Sequence, residues 1–267
     1  MLGVFRYRDK LGHRLVLILR GFPCSWGRCT FCPFALEQST STARVIGDNR
    51  RIIERAIEEI RREPVGRVAV FNGGSFHELP YDTVERLRPL ARGRVFEVEE
   101  RSEFVTLDSL EALVDYYRPR RLIVRVGFET AFEDIREGLL RKGMPDSEMH
   151  RLSRLRLEAR SRGLPVEIWT YLLFGMEGIP EETVVESLRA FKRLFDGVIA
   201  VRYVKYLPSH PDPAPVSEAL AKTLEEEADL VDWGGEQWEI AGRRGSAPGA
   251  SGAARSSTGS GERRGST

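Results

Sequence analysis

Cysteine is scarce in this sequence, with three in 267 residues. A disulfide-stapled miniprotein is therefore excluded, and a chain of this length can bury a core without such staples. Long apolar runs are also missing. The longest is Leu15 to Leu19, far short of the roughly eighteen residues a membrane helix needs, so no membrane-spanning segment is expected. The opening residues MLGVFRYRDKLGHR contain no apolar h-region of a secretory signal, and a cytoplasmic protein is expected. An excess of one charge is lacking too, since 41 basic and 40 acidic residues leave +1. Arg243–Thr267 holds five arginines and one glutamate, so residues 1–242 carry −3. Global charge thus does not announce a nucleic-acid binder.

The chain is 41% hydrophobic and 30% charged, the mixture of a globular protein with one large domain or two small ones. From Gly245 onward, 12 of 23 residues are Gly or Ser and none is aromatic. Such a segment cannot offset its ordering entropy by burial and reads as a disordered tail. Between residues 14 and 206, strand-like and helix-like segments alternate. Expected strands are Leu15–Leu19, Arg67–Phe71, Val95–Glu99, Arg121–Phe128, Val166–Leu173 and Val198–Tyr206. Most are near-continuous apolar runs, as for strands covered on both faces. Expected helices are Asn49–Arg62, capped by Asp48 or Asn49, then Tyr81–Ala91, Leu107–Tyr116, Phe132–Arg141, Asp146–Arg162 and Glu181–Phe195. Six β/α pairs with short connections point to a parallel sheet, either a partial (β/α) barrel or a flat doubly wound sheet. In both, ligands sit at the C-terminal ends of the strands. Ser209 to Pro215 reads as an extended linker into a short acidic helix, Glu218–Asp232, with Trp233 and Trp238 behind it.

All three cysteines fall within nine residues, Cys24, Cys29 and Cys32 in PCSWGRCTFCPF, a C-x4-C-x2-C spacing. Independent core cysteines would not cluster so tightly. Disulfides are disfavoured in a cytosolic compartment and would leave one thiol over. A zinc site needs a fourth ligand, which His77 or His13 could supply. A plant-type [2Fe–2S] cluster needs a distant fourth cysteine, which this chain does not have. Three thiolates can hold three irons of a [4Fe–4S] cluster and leave the fourth open to an exogenous ligand. The loop leaves the first expected strand at Arg20-Gly21, at the mouth where a barrel enzyme places its site.

These features resemble the radical S-adenosylmethionine (radical SAM) superfamily, whose members carry a three-cysteine loop after the first strand of a partial (β/α)6 TIM-like barrel. Phe31 stands where that family has an aromatic before the last cysteine. One departure is visible: four residues, Ser25 to Arg28, separate the first two cysteines where most members have three. Phe71-Asn72-Gly73-Gly74-Ser75-Phe76 is similar to the glycine-rich turn that receives the amino group of S-adenosylmethionine, and paired glycines let backbone approach a ligand closely. Glu99-Glu100-Arg101 resembles the Glu-x-Arg segment of the Elp3-like and MiaB-like branches, with Glu99 as the ribose carboxylate; the other reading is a solvated charge run. Val126-Gly127-Phe128-Glu129-Thr130, with Arg141-Lys142-Gly143 after it, is similar to the archaeal branch that contains the radical-SAM subunit of archaeosine synthase. Glu129 follows buried apolar residues, where a charge persists only if paired. Phe174-Gly175-Met176-Glu177-Gly178 partly matches the turn beside the adenine, with Glu177 in place of the usual proline.

The resemblance implies a [4Fe–4S] cluster on Cys24, Cys29 and Cys32 and an S-adenosylmethionine site at Gly73, Gly74, Ser75, Glu99, Phe31 and Gly175. Glu129 orients cofactor or substrate. It further implies a 5′-deoxyadenosyl radical made with an electron from a reductase or ferredoxin, a tRNA nucleoside as substrate, and a partner subunit. A small-molecule or protein substrate, or a non-catalytic iron–sulfur or zinc protein, are the alternatives. Five arginines between Arg151 and Arg162 offer a phosphate-contacting helix or a merely solvated one. The expected organisation is a barrel over 1–206, an extension packed on it over 207–242 and a disordered tail over 243–267.

Overall fold

The computed structural model describes residues 2–234, with the backbone pairing of Glu239–Ile240 to Arg243–Arg244 beyond them. Trp238 and, apart from that pairing, the tail of 243–267 lie outside the described residues. Eight strands form one sheet in chain order. β1 (Gly3–Asp9) and β2 (Gly12–Ile18) make an antiparallel hairpin. β2 then begins a parallel series: β3 (Arg67–Phe71), β4 (Val95–Glu100), β5 (Arg121–Glu129), β6 (Val166–Phe174), β7 (Gly197–Arg202) and β8 (Leu230–Asp232). Crossovers carry α1 (Thr42–Arg62), α2 (Tyr81–Arg86), α3 (Arg88–Ala91), α4 (Leu107–Tyr117), α5 (Asp146–Ser161), α6 (Glu181–Leu194) and α7 (Glu218–Glu227). The parallel strands keep chain order without the reversal of a doubly wound sheet, and β1 and β8 remain as edges, so the sheet is a partial TIM-like barrel.

Strand alternation sorts the core into two faces. Leu15, Leu17, Val68, Val70, Leu122 and Val124 point outward into the large cluster under the helices. Burying each such side chain contributes on the order of 1.5–3 kcal/mol. The inward face is mixed. It holds two smaller apolar clusters, around Ile123, Trp169 and Ile199 and around Val16, Ile18 and Ala69. Between them lies a charged network: fully buried Glu97 pairs with Arg67 at 2.9 Å, with Arg125, and with Arg14 at 3.6 Å. Asp9 from β1 adds a second carboxylate, 2.6 Å from Arg67. Burial opposes the charge on Glu97, yet Arg125, Arg67 and Arg14 hold its carboxyl below the usual range.

The six expected strands are β2 to β7, and β1 and β8 extend the sheet at both ends. The helices differ in detail. α1 starts seven residues early, at Thr42, where Ser41 accepts from the Arg44 amide at 3.4 Å. Asn49 is not its cap: buried inside the helix, its side chain accepts from Arg20 N at 2.8 Å and donates to Arg20 O at 3.0 Å. The expected helix Tyr81–Ala91 breaks into α2 and α3 because Pro89 lacks an N–H to continue the ladder. Phe132–Arg141 forms only a π-helical turn, Asp134–Leu139, wrapped round buried Arg136. The acidic helix stops at Glu227, and Leu230–Asp232 pairs with β7 as a strand. Ser209 to Pro215 does not run out as a linker but lies back on the end of β6, with Met176 bridging Pro213. No helix among the described residues is long and apolar enough to cross a membrane.

Candidate active site

The cysteine loop leaves β2 under constraint from three sides. Asn49 clamps both backbone groups of Arg20, as above. At Gly21 a Cβ would collide with the Asn72 carbonyl, so only glycine lets the two strand ends come this close. The π-helical turn supplies the third side. Its end leaves carbonyls without helical partners, and the loop takes them. Thr30 N donates to Leu140 O at 3.1 Å, Thr30 Oγ1 to Leu139 O at 2.8 Å, and Trp26 Nε1 to Arg141 O at 2.7 Å. The Trp26 ring covers Gly143, where a Cβ would have no room. Arg28 and Arg101 each stack a guanidinium 5.1 Å from the Trp26 ring.

Within this brace Cys24, Cys29 and Cys32 are free and half-buried, with Cys29 and Cys24 both close enough to act on Cys32. Burial pushes the Cys32 thiol up to about 12 and raises Cys29 as well. Among the described residues, no three His, Cys, Asp or Glu side chains converge tightly enough to hold one metal ion. A single ion draws thiolates to within about 4 Å of one another, whereas a cluster places each on a different iron and spaces them more widely. Neither histidine completes a zinc set: His13 lies at the far end of β2, paired with Arg8, and His77, with Nδ1 on Glu100, joins no group of three converging ligands among the described residues. The donor chemistry, three soft thiols on one braced loop, suits an iron–sulfur cluster.

The glycine turn closes over the loop. Gly73 has φ +66°, and a Cβ there would sit 2.7 Å from Phe34 Cβ. Gln38 donates to Gly73 O at 3.0 Å. Ser75 is buried, its amide on Glu78 Oε2 at 2.8 Å and its hydroxyl accepting from Arg101 N at 3.1 Å. Glu78 Oε1 also accepts from Ser25 N at 2.8 Å, so one carboxylate ties the two loops together. Asn72, 3% exposed, donates to Ser75 O while its Oδ1 accepts nothing.

Two carboxylates approach from the strands. Glu99 faces the lumen, hydrogen-bonded by the Tyr171 hydroxyl, which Arg125 Nη1 supports at 3.3 Å. Burial raises the Glu99 carboxyl, and the nearby Glu129 charge adds to the shift. Glu129 ends β5 at φ +68°, after a register shift, and is 7% exposed. Its Oε1 meets Lys142 Nζ at 3.2 Å. A Cβ on Gly127 would lie 2.5 Å from that oxygen, so the glycine makes the pair possible. Lys142 Nζ also lies 5.4 Å from the centre of the Phe31 ring. The structure therefore brings Cys24, Cys29, Cys32, Phe31, Gly73, Gly74, Ser75, Glu99 and Glu129 to one mouth. Gly175 stands apart: its carbonyl accepts from Ala214 N at 2.9 Å, and Val216 crowds it. Sequence reasoning missed Lys142, Glu78 and Tyr171 as site residues. Glu78 carried a signal in the Ser-x-x-Glu of a capping box, and Lys142 in its place within Arg141-Lys142-Gly143, while Tyr171 carried none.

No family model matches the chain. It is 22% identical to archaeosine synthase subunit beta of Methanosarcina acetivorans over 191 residues, 65% of this chain and 53% of that protein. The chain thus spans about half the length of this curated relative. Among solved structures it is similar to a queuine lyase from Clostridium spiroforme bound to SAM and queuine, with TM-score 0.64 and 22% identity over 87% of this chain and 96% of that one. A radical SAM methyltransferase from Sphaerobacter thermophilus has TM-score 0.55 and 14% identity, covering 85% and 71%. The comparisons bear out the resemblance to the radical SAM superfamily, and the fold is the partial barrel of these structures.

Proposed function

We propose that this chain is a radical SAM enzyme that holds a [4Fe–4S] cluster on Cys24, Cys29 and Cys32 and acts on a tRNA nucleoside. The observation that carries this reading is the braced loop itself. Three free, half-buried cysteines share one loop at the C-terminal mouth of a partial barrel, held by hydrogen bonds to the turns after β3 and β5. A cluster held by these cysteines would supply one-electron chemistry to a bound S-adenosylmethionine, the electron coming from an external reductase or ferredoxin.

The chain's own part is binding and exclusion of water. Gly73 and Gly74 give backbone access to the methionine end, and the unpartnered Asn72 Oδ1 is a ready acceptor for its ammonium. Ser75, engaged on both sides, fixes the turn. Glu99 keeps one oxygen for ribose hydroxyls while Tyr171 holds the other. Phe31 shields the cysteine loop, and Gly175 lets 212–216 close over the end of β6, where the family resemblance would put the adenine. Glu129 orients cofactor or substrate. The barrel of 1–206 carries the site, and the described part of the 207–242 extension, up to 234, packs on it; a partner subunit and a ferredoxin or reductase complete the system in a cytoplasmic setting.

A second reading has its own support. Four of the five arginines of 151–162 are held internally, Arg151 by Ser102 O, Val105 O and Glu148, Arg156 and Arg160 by Asp196, and Arg162 by Glu111 and Glu158. This leaves little of a phosphate-binding face, and the queuine lyase, 96% of whose chain is matched, is bound to a free base. A small heterocyclic substrate follows. Anaerobic reconstitution tests the core proposal: about four irons per chain and 5′-deoxyadenosine on adding dithionite and S-adenosylmethionine. Iron retained in Cys29→Ala defeats it. Stimulation of 5′-deoxyadenosine by bulk tRNA or by free queuine then separates the two substrates.

A further inference from the structure

Lys142 has no task in the reading above, yet the fold goes to some length to place it. A lysine at a strand mouth ordinarily runs its ammonium out to water. Here it turns inward, 12% exposed, to Glu129 at 3.2 Å and to within 5.4 Å of the Phe31 ring centre, between Cys29 and Cys32 in sequence. Three departures from regular structure serve this placement. Glu129 adopts a left-handed backbone, β5 slips register before it, and Gly127 gives up a side chain. Arg101 holds the far side, donating to Lys142 O at 3.0 Å and Gly143 O at 3.3 Å. Burial works against the ammonium's charge, but the Glu129 carboxylate beside it preserves that charge.

We infer that Lys142 is an electrostatic tuning residue that raises the reduction potential of the cluster held by Cys24, Cys29 and Cys32, with Glu129 as its counterweight. The inference rests on the cluster reading above. Three thiolates and the sulfides leave a cluster anionic, and one-electron reduction adds a further negative charge. A fixed positive charge close by stabilises the reduced form more than the oxidised one, and a fixed negative charge does the reverse.

The test is an EPR-monitored redox titration with dithionite on the reconstituted full-length protein without S-adenosylmethionine. Lys142→Met is expected to lower the reduced-to-oxidised ratio at fixed potential by at least tenfold, about 59 mV for one electron. Lys142→Arg keeps the charge and stays within threefold of wild type. Glu129→Gln moves the ratio upward. Opposite signs for the two neutralising variants are what a purely structural role does not give. Equal midpoints at equal iron content, or both variants shifting the same way, overturn the inference. So does a tenfold loss of S-adenosylmethionine affinity in Lys142→Met with the midpoint unmoved, which assigns the ammonium to the cofactor's carboxylate. Should Lys142→Met fail to take up iron, the arginine and Glu129→Gln variants still decide by sign. Failure of the wild-type chain to bind iron removes the cluster reading itself, a result distinguishable from unmoved midpoints.

Discussion

Replacing Glu97 by glutamine probes the charged floor of the barrel. The carboxylate is fully buried and faces three guanidiniums, Arg67, Arg125 and Arg14. Glutamine preserves the shape and can still accept from Arg67 Nε, now at 3.0 Å. What disappears is the negative charge, leaving Asp9 as the remaining carboxylate against three arginines. Removing one partner of a buried ion pair costs about 3–5 kcal/mol, because the other partner stays buried and uncompensated. For a chain of this size each kcal/mol moves Tm by roughly 2–4 °C, so a fall of about 6–20 °C is expected. Thermal and urea unfolding of the apo protein measure it. The pH dependence has a definite sign. The folded carboxyl lies below its ordinary 4.5, so its contribution is full above that value and is lost as pH falls through the folded value. The gap between wild type and Glu97→Gln should therefore close on acidification below about 4.5. A double-mutant cycle with Arg125→Met should show coupling of about 1 kcal/mol or more. A loss under about 1 kcal/mol, with no coupling and a pH-independent gap, would refute the claim that this network is tightly held.

Gly73→Ala forces a Cβ to 2.7 Å from Phe34 at φ +66°; S-adenosylmethionine affinity measured by calorimetry should fall at least tenfold, while iron uptake persists. Trp26→Phe removes the hydrogen bond to Arg141 O, and a loss of about 1 kcal/mol in urea unfolding is expected, with faster cluster decay in air. The hydrogen bond His77 Nδ1 donates to Glu100 raises the His77 pKa above 6.5, so the stability that pair brings is full below 6.5 and lost as pH rises through the folded value. His77→Gln should flatten the stability profile in that window, and an unchanged slope counts against the pairing.

Much of the fold was legible because the outward faces of β2 to β7 are apolar and β-branched while the crossover helices carry stripes. The inward face was not. In Val95-Phe96-Glu97-Val98-Glu99-Glu100 the acids look like a charge run at a strand end, but alternation sends Glu97 and Glu99 into the lumen and Glu100 outward to His77. A period of two distinguishes the faces; nothing local says that both are covered. The start of α1 was hidden by Gly47-Asp48-Asn49, which reads as a break because glycine costs a helix about 1 kcal/mol. The helix runs through it because Asn49 is spent on Arg20, a contact 29 residues away in sequence. The cysteines were plain from spacing alone. Their supports were not, since the Glu129–Lys142 pair depends on a register slip and a π-helical turn that leave no periodic trace.

The places where this chain departs from ordinary backbone rules are unevenly distributed. Arg118 at φ +48° is a helix terminus, where the left-handed conformation is a common way to stop. The remaining described non-glycine residues with positive φ, Glu129 and Arg141, flank the π-helical turn, and the slip in β5, the buried Arg136 and the inward Lys142 all fall in the same stretch, 126–143. Left-handed non-glycine backbone costs of order 1–3 kcal/mol per residue, and the apolar packing of β5 gains nothing from it. What the distortion does produce is a set of carbonyls at 139–141 that grip the cysteine loop and an ammonium beside its thiols. Strain placed where local rules fail, and compensated by contacts to one loop, marks that loop as the part of the molecule the fold is arranged to hold.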